Sequence, residues 1–103
     1  MREASAHRPV RMTTTVRIVL GALLDGHDED LWGLRIMELT KLQSGTVYPI
    51  LVRLEERGWI EGRWEDEQPE GRPRRRYWRL TTWGAWRARE ALGRTGEGGE
   101  ARA

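Results

Sequence analysis

Of the 18 basic residues in this 103-residue chain, Lys41 alone is lysine and the other 17 are arginine. Arginine presents a planar fork of donors that fits phosphates and guanine edges. An arginine-for-lysine bias also follows from a GC-rich genome, so composition alone does not assign a nucleic-acid partner. The remaining inventory excludes a good deal. There is no cysteine, which removes disulfides, thiolate zinc sites and cysteine nucleophiles. His7 and His27 are 20 residues apart and make no metal pair, and His27-Asp28-Glu29-Asp30 reads as a solvated loop. No Ser/His/Asp arrangement, phosphate-cradling glycine loop or pair of inward carboxylates can be placed. We therefore expect no enzyme activity, no cofactor and no metal.

Two stretches do have the right residues at the right spacing. In the first, Ser44 to Arg57, a helical period puts Val47, Ile50, Leu51 and Leu54 on one face. The opposite face holds Gly45, Pro49, Val52 and Glu56, with Thr46, Tyr48 and Arg53 on the flanks. Its N-terminal half is small and uncharged apart from Tyr48. Such a surface can enter a major groove, with Thr46 against a thymine methyl and backbone N–H groups on a phosphate. The plain alternative is an ordinary solvated face, but such faces carry more charge. In the second stretch, Gly71-Arg72-Pro73-Arg74-Arg75 follows an acidic run of Glu65, Asp66, Glu67 and Glu70. Arg76 and Arg79 can pair across a hairpin. Arg72, Arg74 and Arg75 are too crowded for all three to pair in a short loop, and they suit a minor groove or a phosphate run.

The elements that position these residues must come from one small domain. A chain of this length buries roughly two thirds of its unfolded surface, and with phenylalanine absent the six tryptophans carry much of that burial. Val16, Val19, Leu20, Leu23 and Leu24 form an amphipathic stripe on a helix running from a Thr13 or Thr14 cap to Leu24. A second helix, capped by Asp30, is expected over Leu31–Leu42 with Ile36 and Leu39 inward. After Gln43-Ser44-Gly45, Ser44 caps a third helix to Arg57, which tolerates Pro49 near its start, and Gly58 ends it. Trp59–Glu65 and Arg75–Thr81 form a hairpin around the tip Asp66–Arg74. Thr81 or Thr82 then caps a last helix from Trp83 to about Gly93. The predicted fold is mainly α with a β-hairpin, a winged helix-turn-helix followed by a C-terminal helix.

The same residues carry a family resemblance. Ser44-Gly45-Thr46-Val47-Tyr48-Pro49-Ile50-Leu51-Val52-Arg53-Leu54-Glu55, followed by Glu56-Arg57-Gly58-Trp59-Ile60, resembles the hallmark of the PadR transcriptional regulators. Gly71 to Thr81, with Gly84, resembles that family's wing and its return into the last helix. Leu31-Trp32-Gly33-Leu34-Arg35-Ile36 resembles the start of its second helix, with Trp32 and Leu34 where tyrosines are usual and Arg35 where glutamate is usual. The likeness spans about residues 13–90 and is to the short-chain branch, whose C-terminal domain is a single helix. It implies a dimeric winged-helix repressor. Some short-chain members hold planar hydrophobic compounds between tryptophans of their paired C-terminal helices.

The resulting expectations are specific. Residues 1–12 form a flexible basic arm (with Met12 a second candidate start), 13–81 the DNA-binding domain, 82–93 a dimerisation helix and 94–103 a disordered tail. Double-stranded DNA is bound by Ser44, Thr46, Tyr48 and Arg53 of the recognition helix and by Arg72, Arg74 and Arg75 of the wing. A homodimer reads an inverted repeat with half-sites about one helical turn apart. Val16, Val19, Leu20 and Leu23 of the first helix and Trp83 and Trp86 of the last pair with their symmetry mates. Trp83 and Trp86 are also the candidate site for a planar hydrophobic effector, against the alternative that both rings are packed core or interface. No membrane span or secretory signal is legible, so a cytoplasmic protein is expected. The competing class is a winged-helix protein-interaction module that binds no DNA, favoured by the low net charge of +2 and the acidic half of the hairpin.

Overall fold

The computed structural model describes residues 9–94 apart from residue 68. The expectations for residues 1–8 of the arm and 95–103 of the tail lie outside the described residues. Helix α1 spans Thr14–Asp25, β1 Leu31–Trp32, α2 Gly33–Thr40, α3 Ser44–Glu56, β2 Ile60–Trp64, β3 Arg76–Leu80 and α4 Thr82–Leu92. The three strands form one antiparallel sheet in the order β1-β3-β2.

Each boundary has a local cause. Thr13 caps α1, its hydroxyl accepting from the Val16 amide at 3.2 Å. The second helix starts two residues later than its period predicts, because Leu31 and Trp32 are drawn into the sheet opposite Trp78 and Tyr77. Asp30 is therefore not its cap; its carboxylate accepts from Arg63 Nε at 2.7 Å instead. The helix ends at Lys41, which adopts the left-handed conformation. There the Thr40 hydroxyl donates to the Ile36 carbonyl at 2.8 Å and accepts from the Leu42 amide at 3.2 Å. Leu39 is exposed, contrary to expectation, while Ile36 stays fully buried.

Helix α3 begins one residue earlier than predicted. Gln43 is its cap residue and Ser44 lies in its first turn; the Thr46 and Val47 amides are satisfied by the Gln43 carbonyl. It runs unbroken through Pro49. Gly58, at φ 77°, lets the chain reverse into β2. Thr81 then joins sheet to helix: its hydroxyl caps α4 by accepting from the Gly84 amide at 2.9 Å and donates to the Gly58 carbonyl at 2.7 Å. Gly84 sits directly on the Trp59 backbone, in a space no side chain could share.

One core joins all of these elements. Val47, Ile50, Leu51 and Leu54 of α3 meet the α1 stripe, Ile36, Trp59, Ile60, Trp78 and Ala88. Val16, Val19, Leu20 and Leu23 are thereby used up: each is at most 2% exposed within the single chain. They form the seam between α1 and the rest of the protomer, so the placement of a dimer interface on them is corrected. The apolar residue that α1 leaves outside is Ile18.

Candidate nucleic-acid interface

Helix α3 is seated by its buried face and shows the other. Ser44, Gly45, Tyr48, Pro49, Val52 and Arg53 are exposed and Thr46 is half-buried, so the four recognition residues expected from the sequence lie at least partly open. Tyr48 is 43% exposed and is not loose. Its ring and hydroxyl lie against the Cα of Gly33, where a side chain at residue 33 would collide with them. The start of α2 thus buttresses the tyrosine that α3 presents.

The wing is built differently. Glu65, just past β2, accepts from both terminal nitrogens of Arg72, each at 3.0 Å, and from the Arg75 amide at 3.1 Å. The backbone closes beneath this clamp through the Glu65 amide and Arg75 carbonyl at 2.8 Å. These donors hold the Glu65 carboxyl below the usual carboxylate range, Arg72 first and the Arg75 amide second. The Arg75 guanidinium stacks 3.6 Å from the Trp32 ring centroid. Arg76 donates to Glu55 of α3 at 3.1 Å and lies 5.1 Å and 5.0 Å from the Trp64 and Trp78 ring centroids. Gly62 makes this crossing possible, since a Cβ there would come within 2.9 Å of both the Arg76 guanidinium and the Trp78 ring. Arg79 and Arg63 are taken by Glu61 and Asp30. Arg74 is exposed and forms no ion pair among the described residues.

Of the three wing arginines expected to face DNA, two are therefore engaged at home. The partners of Arg72 and Arg75 come from outside the tip: Glu65 takes the first and Trp32 the second. Between α3 and the wing runs a groove of ≈ 630 Å³, walled by Tyr48, Val52, Trp32, Trp64 and Trp78. The exposed Trp64 at its edge had no signal in the sequence beyond strand alternation. Glu55 and Trp32 were equally hidden, because their partners Arg76 and Arg75 are remote in the chain.

At α4 the geometry is simpler. Trp83 and Trp86 are 43% and 52% exposed and stack on each other, centroids 5.6 Å apart at 30°. The opposite face of the helix packs Gly84 and Ala88 into the protomer. Neither ring belongs to the core.

A three-helix helix-turn-helix, a braced wing and a further helix define a winged-helix regulator of transcription. The chain belongs to the transcriptional regulator PadR-like family, whose model matches residues 29–90. Regulators of this family bind DNA and typically dimerise. Among solved structures it is similar to a protein of Streptococcus mutans UA159, with 24% identity, a TM-score of 0.65 and coverage of 84% of this chain and 80% of that one. It is similar to a PadR-like transcription factor from Bacteroides fragilis, with 24% identity, a TM-score of 0.64 and 84% of each chain covered. A PadR family transcription regulator from Clostridium difficile R20291 gives 25% identity and a TM-score of 0.58, over 84% of this chain and 88% of that one. No curated protein matches. Among the described residues, no helix is long and apolar enough to cross a membrane.

Proposed function

We propose that the protein is a homodimeric repressor that reads an inverted-repeat operator, with Ser44, Thr46 and Tyr48 in the major groove and Arg53 and Arg74 on flanking phosphates. The observation that carries this reading is the exposed, uncharged N-terminal half of α3 beside a wing whose Arg74 is exposed and, among the described residues, forms no ion pair. Residues 13–81 serve as the DNA-binding unit and 82–93 as the dimerisation helix. The stacked pair Trp83 and Trp86 supports the dimer: two adjacent exposed indoles on a small domain belong in an interface. A planar hydrophobic effector intercalating beside these rings in the dimer would release DNA by altering the spacing of the two recognition helices.

The test is a mobility shift on DNA upstream of the protein's own gene, at moderate salt with random competitor, alongside light scattering at micromolar concentration. A specific shift by a dimer is expected. A protein that shifts no DNA above competitor is a protein-interaction module instead. Trp86→Glu is expected to give monomers, and a Trp86→Glu protein that stays dimeric overturns the interface. A planar cationic dye should quench tryptophan fluorescence saturably and weaken operator binding in parallel; quenching alone leaves no effector site.

A further inference from the structure

The Glu65 carboxylate is an odd occupant of a DNA-facing wing. It brings negative charge toward phosphates, and it withdraws Arg72 from them. Simple electrostatics makes it a liability. Its bonding shows another role. Both oxygens are occupied by Arg72, and one of them also receives the Arg75 amide. Those three bonds and the backbone pair from the Glu65 amide to the Arg75 carbonyl tie the two ends of the tip to each other. Arg75, so fixed, lays its guanidinium on Trp32, at the entrance to α2. The tip is thus anchored once to its own hairpin and once to the helix-turn-helix. Between these anchors stand Pro73, with its restricted backbone, and Arg74, exposed.

We infer that Glu65 is the positioning residue of the wing: by clamping Arg72 and the Arg75 backbone it holds Arg74 as the phosphate-contacting side chain beside the recognition helix. Arg72 and Arg75 act as struts and Arg74 as the contact. Pre-ordering the loop removes the cost of immobilising it when DNA arrives. This inference rests on the DNA-binding reading above.

The test compares wild type, Glu65→Gln, Arg74→Ala and the double variant for operator affinity across a salt series. Arg74→Ala should lower the slope of log affinity against log salt by about 0.9, one phosphate's worth. Glu65→Gln removes a negative charge and should nevertheless weaken operator binding about tenfold, the order of one lost charge-assisted bond. In the Arg74→Ala background the same change should be nearly silent, because Glu65 acts through Arg74. A Glu65→Gln protein that binds as tightly as wild type or tighter overturns the inference, as do losses that multiply in the double variant. Arg72→Gln breaks the clamp from its other side and must reproduce the Glu65→Gln effect without a separate phosphate's slope. Exchange of the Arg75 amide, read by NMR without DNA, should quicken in both clamp variants. If wild type shows no specific shift, the DNA-binding reading fails by itself, and unchanged Arg75 exchange in the variants would then refute the clamp separately.

Discussion

Helix α3 and the wing border one groove and make their surfaces in opposite ways. The helix puts its apolar side chains into the core and leaves outside a short, nearly uncharged face, whose one large member, Tyr48, rests on Gly33. The wing puts Trp59, Ile60 and Trp78 into the core and is otherwise held by charge: Arg72 to Glu65, Arg76 to Glu55, Arg79 to Glu61, Arg63 to Asp30. The helix is thus anchored by burial and free at its surface, while the wing is anchored by the side chains that would otherwise be its surface. Counting arginines therefore overstates what the wing can offer a phosphate, and the sparse helix offers nearly everything it shows.

The sharpest way to break this contrast is to attack the anchors. Leu51→Ala, beneath α3, removes a fully buried side chain and should cost about 2–5 kcal/mol. For a domain of this size that lowers Tm by about 8 °C or more. Glu55→Gln, which unties α3 from Arg76, should cost under about 1 kcal/mol, as partly exposed ion pairs do. Urea denaturation of the two variants measures both; comparable losses would erase the distinction between a buried and a charged anchor.

Next in size is the buttress of Tyr48. Tyr48→Ala should lower operator affinity by about 1–3 kcal/mol, the range of a good base contact, with little change in Tm. Gly33→Ala should reproduce part of that loss although residue 33 is outside α3, since its methyl would displace the Tyr48 ring. Titration of labelled operator reads both. Full affinity in Gly33→Ala would show that the ring's position is immaterial.

The two regions also differ in how far the sequence disclosed them. Helix α3 was legible because its signals are local: Val47, Ile50, Leu51 and Leu54 keep a helical period and Gly58 marks the end. The hairpin and the Thr81 cap were legible for the same reason. What escaped was set by pairing at a distance. Leu31 and Trp32 carry a helical pattern, yet β3 recruits them as a strand. The α1 stripe is expected at a dimer interface, but the core that buries it includes Trp59 and Trp78 from the hairpin and Ala88 from α4. The exposed face of α3 could be expected residue by residue, while the wing's could not, because which arginine is spoken for depends on Trp32 across the fold and on which of the nearby acidic residues turns inward, here Glu65.

The smallest expected effect concerns acid. Glu65 is held ionised by Arg72 and by the Arg75 amide, so its carboxyl titrates lower in the folded wing than in the unfolded chain. A depressed carboxyl stabilises the fold above its ordinary range, and that contribution fades as pH falls through the lowered folded value. The wing should therefore stay clamped at neutral pH and loosen only in acid, below the ordinary glutamate value of about 4.3. Carbon-detected NMR of the Glu65 carboxyl should show its midpoint below the ordinary glutamate value, with the protection of the Arg75 amide from exchange falling over the same interval. In Arg72→Gln the Glu65 midpoint should move back up toward the ordinary range. A midpoint at or above that range in wild type would mean the carboxylate is not gripped, and the tip would then owe its shape to the Arg75–Trp32 stack and the Glu65–Arg75 backbone bond instead.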